Sequence, residues 1–118
     1  MQANTIVLRI RAEQAAEFEQ LFADEEMPIW KDMADQGSLV QASLTRVAFG
    51  SEEEDGIQLY VIYAAFTSMA GHTAHDEDPR FKAMLTKARA FQPKSPLVFG
   101  GRTLFDAGAE PSRDAARG

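Results

Sequence analysis

The chain of 118 residues contains no cysteine, which excludes disulfides, thiolate metal sites and a thiol nucleophile. Long hydrophobic runs are also missing. The longest, Leu59 to Phe66, is too short to cross a bilayer, and no apolar leader opens the sequence, so a soluble, cytoplasmic protein with no membrane partner is expected. Basic residues are scarce: 12 against 18 acidic ones give a net charge of −6, which argues against nucleic acid as a partner. There is no glycine-rich phosphate loop, since Gly100-Gly101 lacks a lysine and a following helix. No serine nucleophile elbow is present either. Apolar residues make up 45% of the sequence, an ordinary globular fraction, and the length suits one core. A single domain over residues 1–105 is therefore expected. Residues 106–118, rich in Ala, Gly, Pro and charge, read as a flexible C-terminal tail.

The hydrophobic pattern changes period along the chain. Thr5 to Arg11 alternates, with Ile6, Leu8 and Ile10 on one side, as a half-buried strand does. Ala15, Phe18, Leu21, Phe22 and Glu25 then follow helical spacing, predicting a helix over Ala12 to Glu26. Pro28 suits the first turn of a new helical segment carrying Ile29, Trp30 and Met33, and Gly37 reads as its left-handed stop. Leu39 to Phe49 is the second expected strand and Ile57 to Phe66 the third. Between them Glu52, Glu53, Glu54 and Asp55 mark an exposed hairpin tip. A second helix starts near Thr67 or Ser68, carries His72 and His75, and restarts at the Asp78-Pro79 cap signature. Pro93 and Pro96 end it. Leu97 to Phe105 is the fourth strand, with a bulge or close backbone approach expected at Gly100-Gly101.

The order β-α-β-β-α-β predicts an α+β, ferredoxin-like fold: a four-stranded antiparallel sheet with two helices on one face. The third strand is apolar on both sides, Leu59, Val61 and Tyr63 on one and Tyr60, Ile62 and Phe66 on the other. Two helices cover only one sheet face, so a second copy is expected on the other, giving a homodimeric α+β barrel. Which face meets the partner is open at this stage. Arg9 and Arg11 would then need acids or carbonyls across the dimer. Charge is also uneven: residues 13–78 hold 15 acids and two bases, residues 80–105 six bases and no acid. One acidic end and one basic flank follow, and a basic rim would draw an anionic small molecule.

Two segments resemble the antibiotic biosynthesis monooxygenase-like family of dimeric α/β barrels. One is Phe18-Glu19-Gln20-Leu21-Phe22 with Pro28 and Gly37. The other is Ala74-His75-Asp76-Glu77-Asp78-Pro79-Arg80-Phe81-Lys82-Ala83, in which His75 matches the family's first histidine and Arg80 stands where a second is often found. The resemblance covers roughly residues 5–105 and implies a small pocket between sheet and helices. Some members of that group oxygenate aromatic polyketides or quinols without metal or flavin; others cleave haem. The haem-cleaving branch fits poorly: the only Asn is Asn4, the only Trp is Trp30 on the first helix, and Met84 and Leu85 stand where an axial histidine is wanted.

Cofactor-free oxygenation needs a flat apolar slot, a base and donors that hold the resulting anion. Trp30 and Phe81 are the candidate walls, Tyr60 and Tyr63 the candidate donors and His75 the candidate base. His72, on the same helix face, is a further substrate-binding candidate. His72, His75 and Asp76 have the chemistry of metal ligands, but no third strong ligand accompanies the two histidines, so neither metal nor cofactor is expected. The expected function is a cofactor-independent monooxygenase-like activity on a small aromatic or quinone-like compound. The alternative is a non-catalytic dimeric protein that binds a small ligand in the same pocket.

Overall fold

A computed structural model describes residues 1–108. The tail expected from 106 falls mainly on residues 109–118, which lie outside the described residues; 103–108 are without regular structure. The elements are strand β1 (Gln2–Arg11), a 3-10 turn (Ala12–Gln14), helix α1 (Ala15–Leu21), a π-helical turn (Phe22–Glu26) and helix α2 (Met27–Asp35). Strands β2 (Leu39–Arg46) and β3 (Ile57–Phe66), helices α3 (Met69–Glu77) and α4 (Pro79–Arg89) and strand β4 (Leu97–Arg102) follow. The sheet is antiparallel throughout, in the order β2-β3-β1-β4. This is the expected ferredoxin-like arrangement.

Alternation decides what each strand faces. Ile6, Leu8 and Ile10 pair with Ile62, Tyr60 and Gln58, and this side packs under the helices. Phe18 and Phe22 of the first helical layer meet it from above. The Phe18 ring lies 4.9 Å from Tyr60, and Phe22 stands edge-on to Trp30 at 5.0 Å. Ile29, Met33, Met84 and Ala88 close the core. The other face carries Val7, Leu59, Val61 and Tyr63, with Leu97 and Phe99 of β4. The register thus assigns the two sides of β3: Tyr60, Ile62, Ala64 and Phe66 look to the helices, and Leu59, Val61 and Tyr63 look away.

Pro28 explains the first helical layer. It has no N–H to donate to the carbonyl four residues back, and its ring crowds that carbonyl. The turn before it widens instead, and Met27 N–H reaches Phe22 O five residues back. The widening shifts the inward face by one residue. Glu26, rather than the periodic Glu25, is buried beside Phe22, while Glu25 reaches Lys87 at 2.7 Å. Gly37 ends α2 with φ +82°, the left-handed conformation expected of it. Asp78 caps α4, accepting the Arg80 N–H at 2.8 Å, and separates it from α3.

Three expectations are corrected. Leu39 to Phe49 and Leu97 to Phe105 end early, at Arg46 and Arg102, while β1 begins three residues sooner, at Gln2. Arg9 and Arg11 do not wait for a partner: they donate to the carbonyls of Ser95 and Ala90 in the same chain. The basic segment does not form a flank of its own. Folding lays α4 against the acid-rich π-helical turn and α2, so Lys87 pairs with Glu25 and Arg80 with Asp32 at 2.6 Å; beyond α4, Lys94 comes within 3.7 Å of Glu54.

Phe18 is 1% exposed at the centre of the aromatic cluster. Phe18→Ala should lower unfolding free energy by about 3–5 kcal/mol in urea titration. Gly37→Ala, strained by the positive φ, should cost about 1 kcal/mol.

Candidate functional site

An open cleft of about 650 Å³ lies where the start of α3 meets the β1–β4 edge. Its floor is a pair of side-chain amides. Asn4 donates to Gln2 Oε1 at 2.7 Å and to Ala64 O at 3.2 Å, and Gln2 Nε2 donates back to Asn4 Oδ1 at 2.7 Å. Asn4 is 4% exposed, a buried polar group whose amide is fully engaged. Gly100 sits opposite Asn4 in the ladder, and a Cβ there would come within 3.0 Å of Asn4 Oδ1. The close approach expected at Gly100-Gly101 is thus present at Gly100, with the β1–β4 register continuous through it and no bulge. Met69 and Val98 supply apolar walls, and His72 and Arg102 line the same space. The His72 ring stacks on Phe66 with centroids 5.3 Å apart and planes 5° apart.

Behind the cleft lies a chain of titratable groups. His72 Nε2 is 3.1 Å from Asp76 Oδ2, and His75 Nδ1 is 3.0 Å from Asp76 Oδ1. His75 Nε2 is 2.5 Å from Glu26 Oε1. Glu26 is 2% exposed and His75 8%. Both imidazole nitrogens of His75 face carboxylates, an arrangement that favours the doubly protonated ring. Burial alone would lower its pKa. The hydrogen bonds and charges of Glu26 and Asp76 outweigh that and raise it above 6.5. Glu26 Oε2 is buried without a hydrogen-bond partner among the described residues. Among those residues no group of three or more His, Asp or Glu side chains is arranged to hold a metal ion.

The six residues singled out from sequence do not form one pocket. His72 alone lines the cleft. His75 and Phe81 pack together behind it, their rings 4.3 Å apart. Trp30 is core. Tyr60 is wholly buried, and its hydroxyl donates to Glu19; burial and that bond push the phenol well above its usual range. Tyr63 lies on the sheet face turned away from the helices. Sequence reasoning passed over Gln2, Asn4, Arg102 and Glu26. Asn4 was legible only as an amide ahead of an apolar alternation, and Glu26 as an acid one turn beyond Phe22.

The buried pair gives stability a pH dependence. A histidine whose pKa is raised by folding stabilises fully below about 6.5, where the unfolded chain also holds the proton. The contribution is lost as pH rises through the raised folded value. Melting temperature should therefore fall across that window, beginning above pH 6.5, and Glu26→Gln should flatten the fall. Because Glu26→Gln leaves a buried imidazolium with one carboxylate, it should also cost about 3–5 kcal/mol at pH 6. Thermal melts at several pH values check both.

No sequence-family model matches the chain, and no curated protein matches it. Solved structures do. An antibiotic biosynthesis monooxygenase, so named, from Nitrosomonas europaea superposes with a TM-score of 0.71 at 10% identity, over 91% of this chain and 93% of that one. SnoaB, a cofactor-independent oxygenase from Streptomyces nogalater, matches with a TM-score of 0.61 at 22% identity, over 90% of this chain and 98% of that one. An uncharacterised NIPSNAP domain protein from Burkholderia xenovorans matches with a TM-score of 0.64 at 15% identity, over 92% and 100%. Together with the strand order and the helices on one sheet face, these likenesses give the chain the ferredoxin-like fold of the antibiotic biosynthesis monooxygenases.

Proposed function

We propose that the protein is a monooxygenase-like enzyme that acts without a cofactor on a small aromatic or quinone-like compound held in the β1–β4 cleft. The observation that carries this reading is the cleft's composition. Apolar walls stand beside the amide pair Gln2–Asn4, His72 and Arg102, on a fold shared with a protein named as a cofactor-independent oxygenase. An ionised phenol is the reactive form for such chemistry, and donors at its oxygen favour that form.

The second reading, a binding protein without catalysis, has a specific observation in its favour. With both ring nitrogens directed at Glu26 and Asp76, His75 presents no free nitrogen to a ligand in the cleft. It holds α3 against the π-helical turn instead. Oxygen uptake with hydroquinones and anthrone-type compounds separates the two readings. Turnover is expected in the wild type. If His75 acts only by holding α3, His75→Ala should lower stability and leave residual turnover in the fraction that stays folded. A complete panel without turnover, alongside ligand binding, would favour the binding protein.

The working unit in this proposal is a homodimer joined through the sheet. Val7, Leu59, Val61, Tyr63, Leu97 and Phe99 share the face that no helix among the described residues covers. Leu97 is 46% and Phe99 60% exposed. A contiguous apolar face of this kind favours association, and a two-fold pairing covers both copies with one surface. Val61→Asp should give folded monomers in sedimentation at micromolar concentration. Ile62→Asp, one residue along and facing the core, should unfold the chain instead. A wild type that sediments as a stable monomer would overturn the dimer.

A further inference from the structure

The cleft's electrostatics run against those of the protein that contains it. The chain carries 18 acidic residues and a net charge of −6, yet among the described residues no Asp or Glu lines the cleft. Arg102 does line it, and no carboxylate lies within ion-pairing distance of its guanidinium among the described residues. Elsewhere Arg46, Arg80, Lys87 and Lys94 each meet an acid, while Lys31, Lys82 and Arg89 form no ion pair among the described residues and line no part of the cleft. His72 adds no uncompensated charge, because Asp76 stands at its Nε2. One cationic side chain is therefore left facing a space with apolar walls.

The space beside that charge is open. Val98, on the cleft side of β4 with Gly100 and Arg102, is 63% exposed. On the floor, Gln2 Nε2 gives one hydrogen to Asn4 Oδ1 and retains a second. Met69, Val98 and the outer edge of the Phe66–His72 stack offer apolar contact. A ligand that matches all of these has a compact apolar body and one anionic oxygen group.

We propose that the cleft binds a small organic monoanion, a carboxylate or phenolate on a flat apolar body, through Arg102 with Gln2 as second donor. The inference rests on the cleft being the functional site, and it adds the charge of the ligand. A guanidinium beside apolar walls, with no carboxylate paired to it among the described residues, favours an anionic ligand over a neutral one of equal shape. Neutral compounds of the same shape bind by apolar contact alone.

Benzoate and benzamide test this, since they match in shape and differ in charge. Binding is read from the backbone amide resonances of Gly100 and Gly101 and from the two imidazoles, the only two in the chain. Benzoate should shift Gly100, Gly101 and His72, bind about tenfold more tightly than benzamide, a difference of about 1.4 kcal/mol, and weaken as salt is raised. Arg102→Gln should bring benzoate down to the level of benzamide. Val98→Ser, which removes an apolar wall and keeps the arginine, should weaken both. Equal affinity for the two compounds, a benzoate preference retained in Arg102→Gln, or no shift of the glycine amides with benzoate would overturn the proposal. Its failure is separable from that of the enzymatic reading. Turnover of neutral and anionic substrates at equal efficiency would remove the charge preference and keep the enzyme. Benzoate binding without any oxygen uptake would keep the anion site and remove the enzyme.

Discussion

The missing N–H of Pro28 is the constraint from which the helical layer follows. A proline at that position cannot continue an α-helical ladder, so the turn before it widens and the inward face moves by one residue. Glu26 is carried into the interior. A buried carboxylate needs a charged partner, and His75 on α3 is that partner. The imidazolium needs a second acceptor, and Asp76 provides it while also engaging His72. His72 is thereby held against Phe66 in the cleft wall. One absent donor in the first helical layer thus fixes the orientation of a residue on the cleft surface.

The parts of the fold that rest on simple periodicity were readable in the sequence. Strand β3 matches its expected bounds, and the break at Asp78-Pro79 and the stop at Gly37 stand where the residues imply. Both depend on local chemistry alone, a cap with a proline and a glycine with positive φ. The beginning of β1 was not readable, because Gln2, Ala3 and Asn4 show no apolar alternation. Their strand character comes from pairing with β3 and β4 on either side. Glu26 was hidden because the π-helical turn breaks the spacing on which the helical reading relied. The cleft was hidden more deeply. Its residues come from both ends of the sequence, Gln2 and Asn4 from β1 and Gly100 and Arg102 from β4, and only the antiparallel register unites them.

Charge illustrates the same limit from another side. The sequence separates acids and bases into long blocks, which suggests poles on the folded surface. The ferredoxin-like topology folds one block onto the other, and α4 delivers Arg80 and Lys87 to Asp32 and Glu25. These are exposed pairs, each worth about 1 kcal/mol or less. Arg102, on β4, lies at the cleft and outside the region where α4 meets those acids.

The cleft is built across strands of very different standing. β1 pairs with β3 along its whole length and with β4 from Gln2 to Val7, whereas every residue of β4 is exposed and, among the described residues, the strand has a neighbour on one side only. Amide protons of β1 bonded to β3 should exchange with solvent only when the whole domain opens, while those in the β1–β4 ladder can exchange by local peeling. Such peeling would draw Gly100 away from Asn4 and enlarge the cleft without disturbing the aromatic core. Access to the floor would then be governed by the fraying of one edge strand, at a free-energy cost well below that of unfolding.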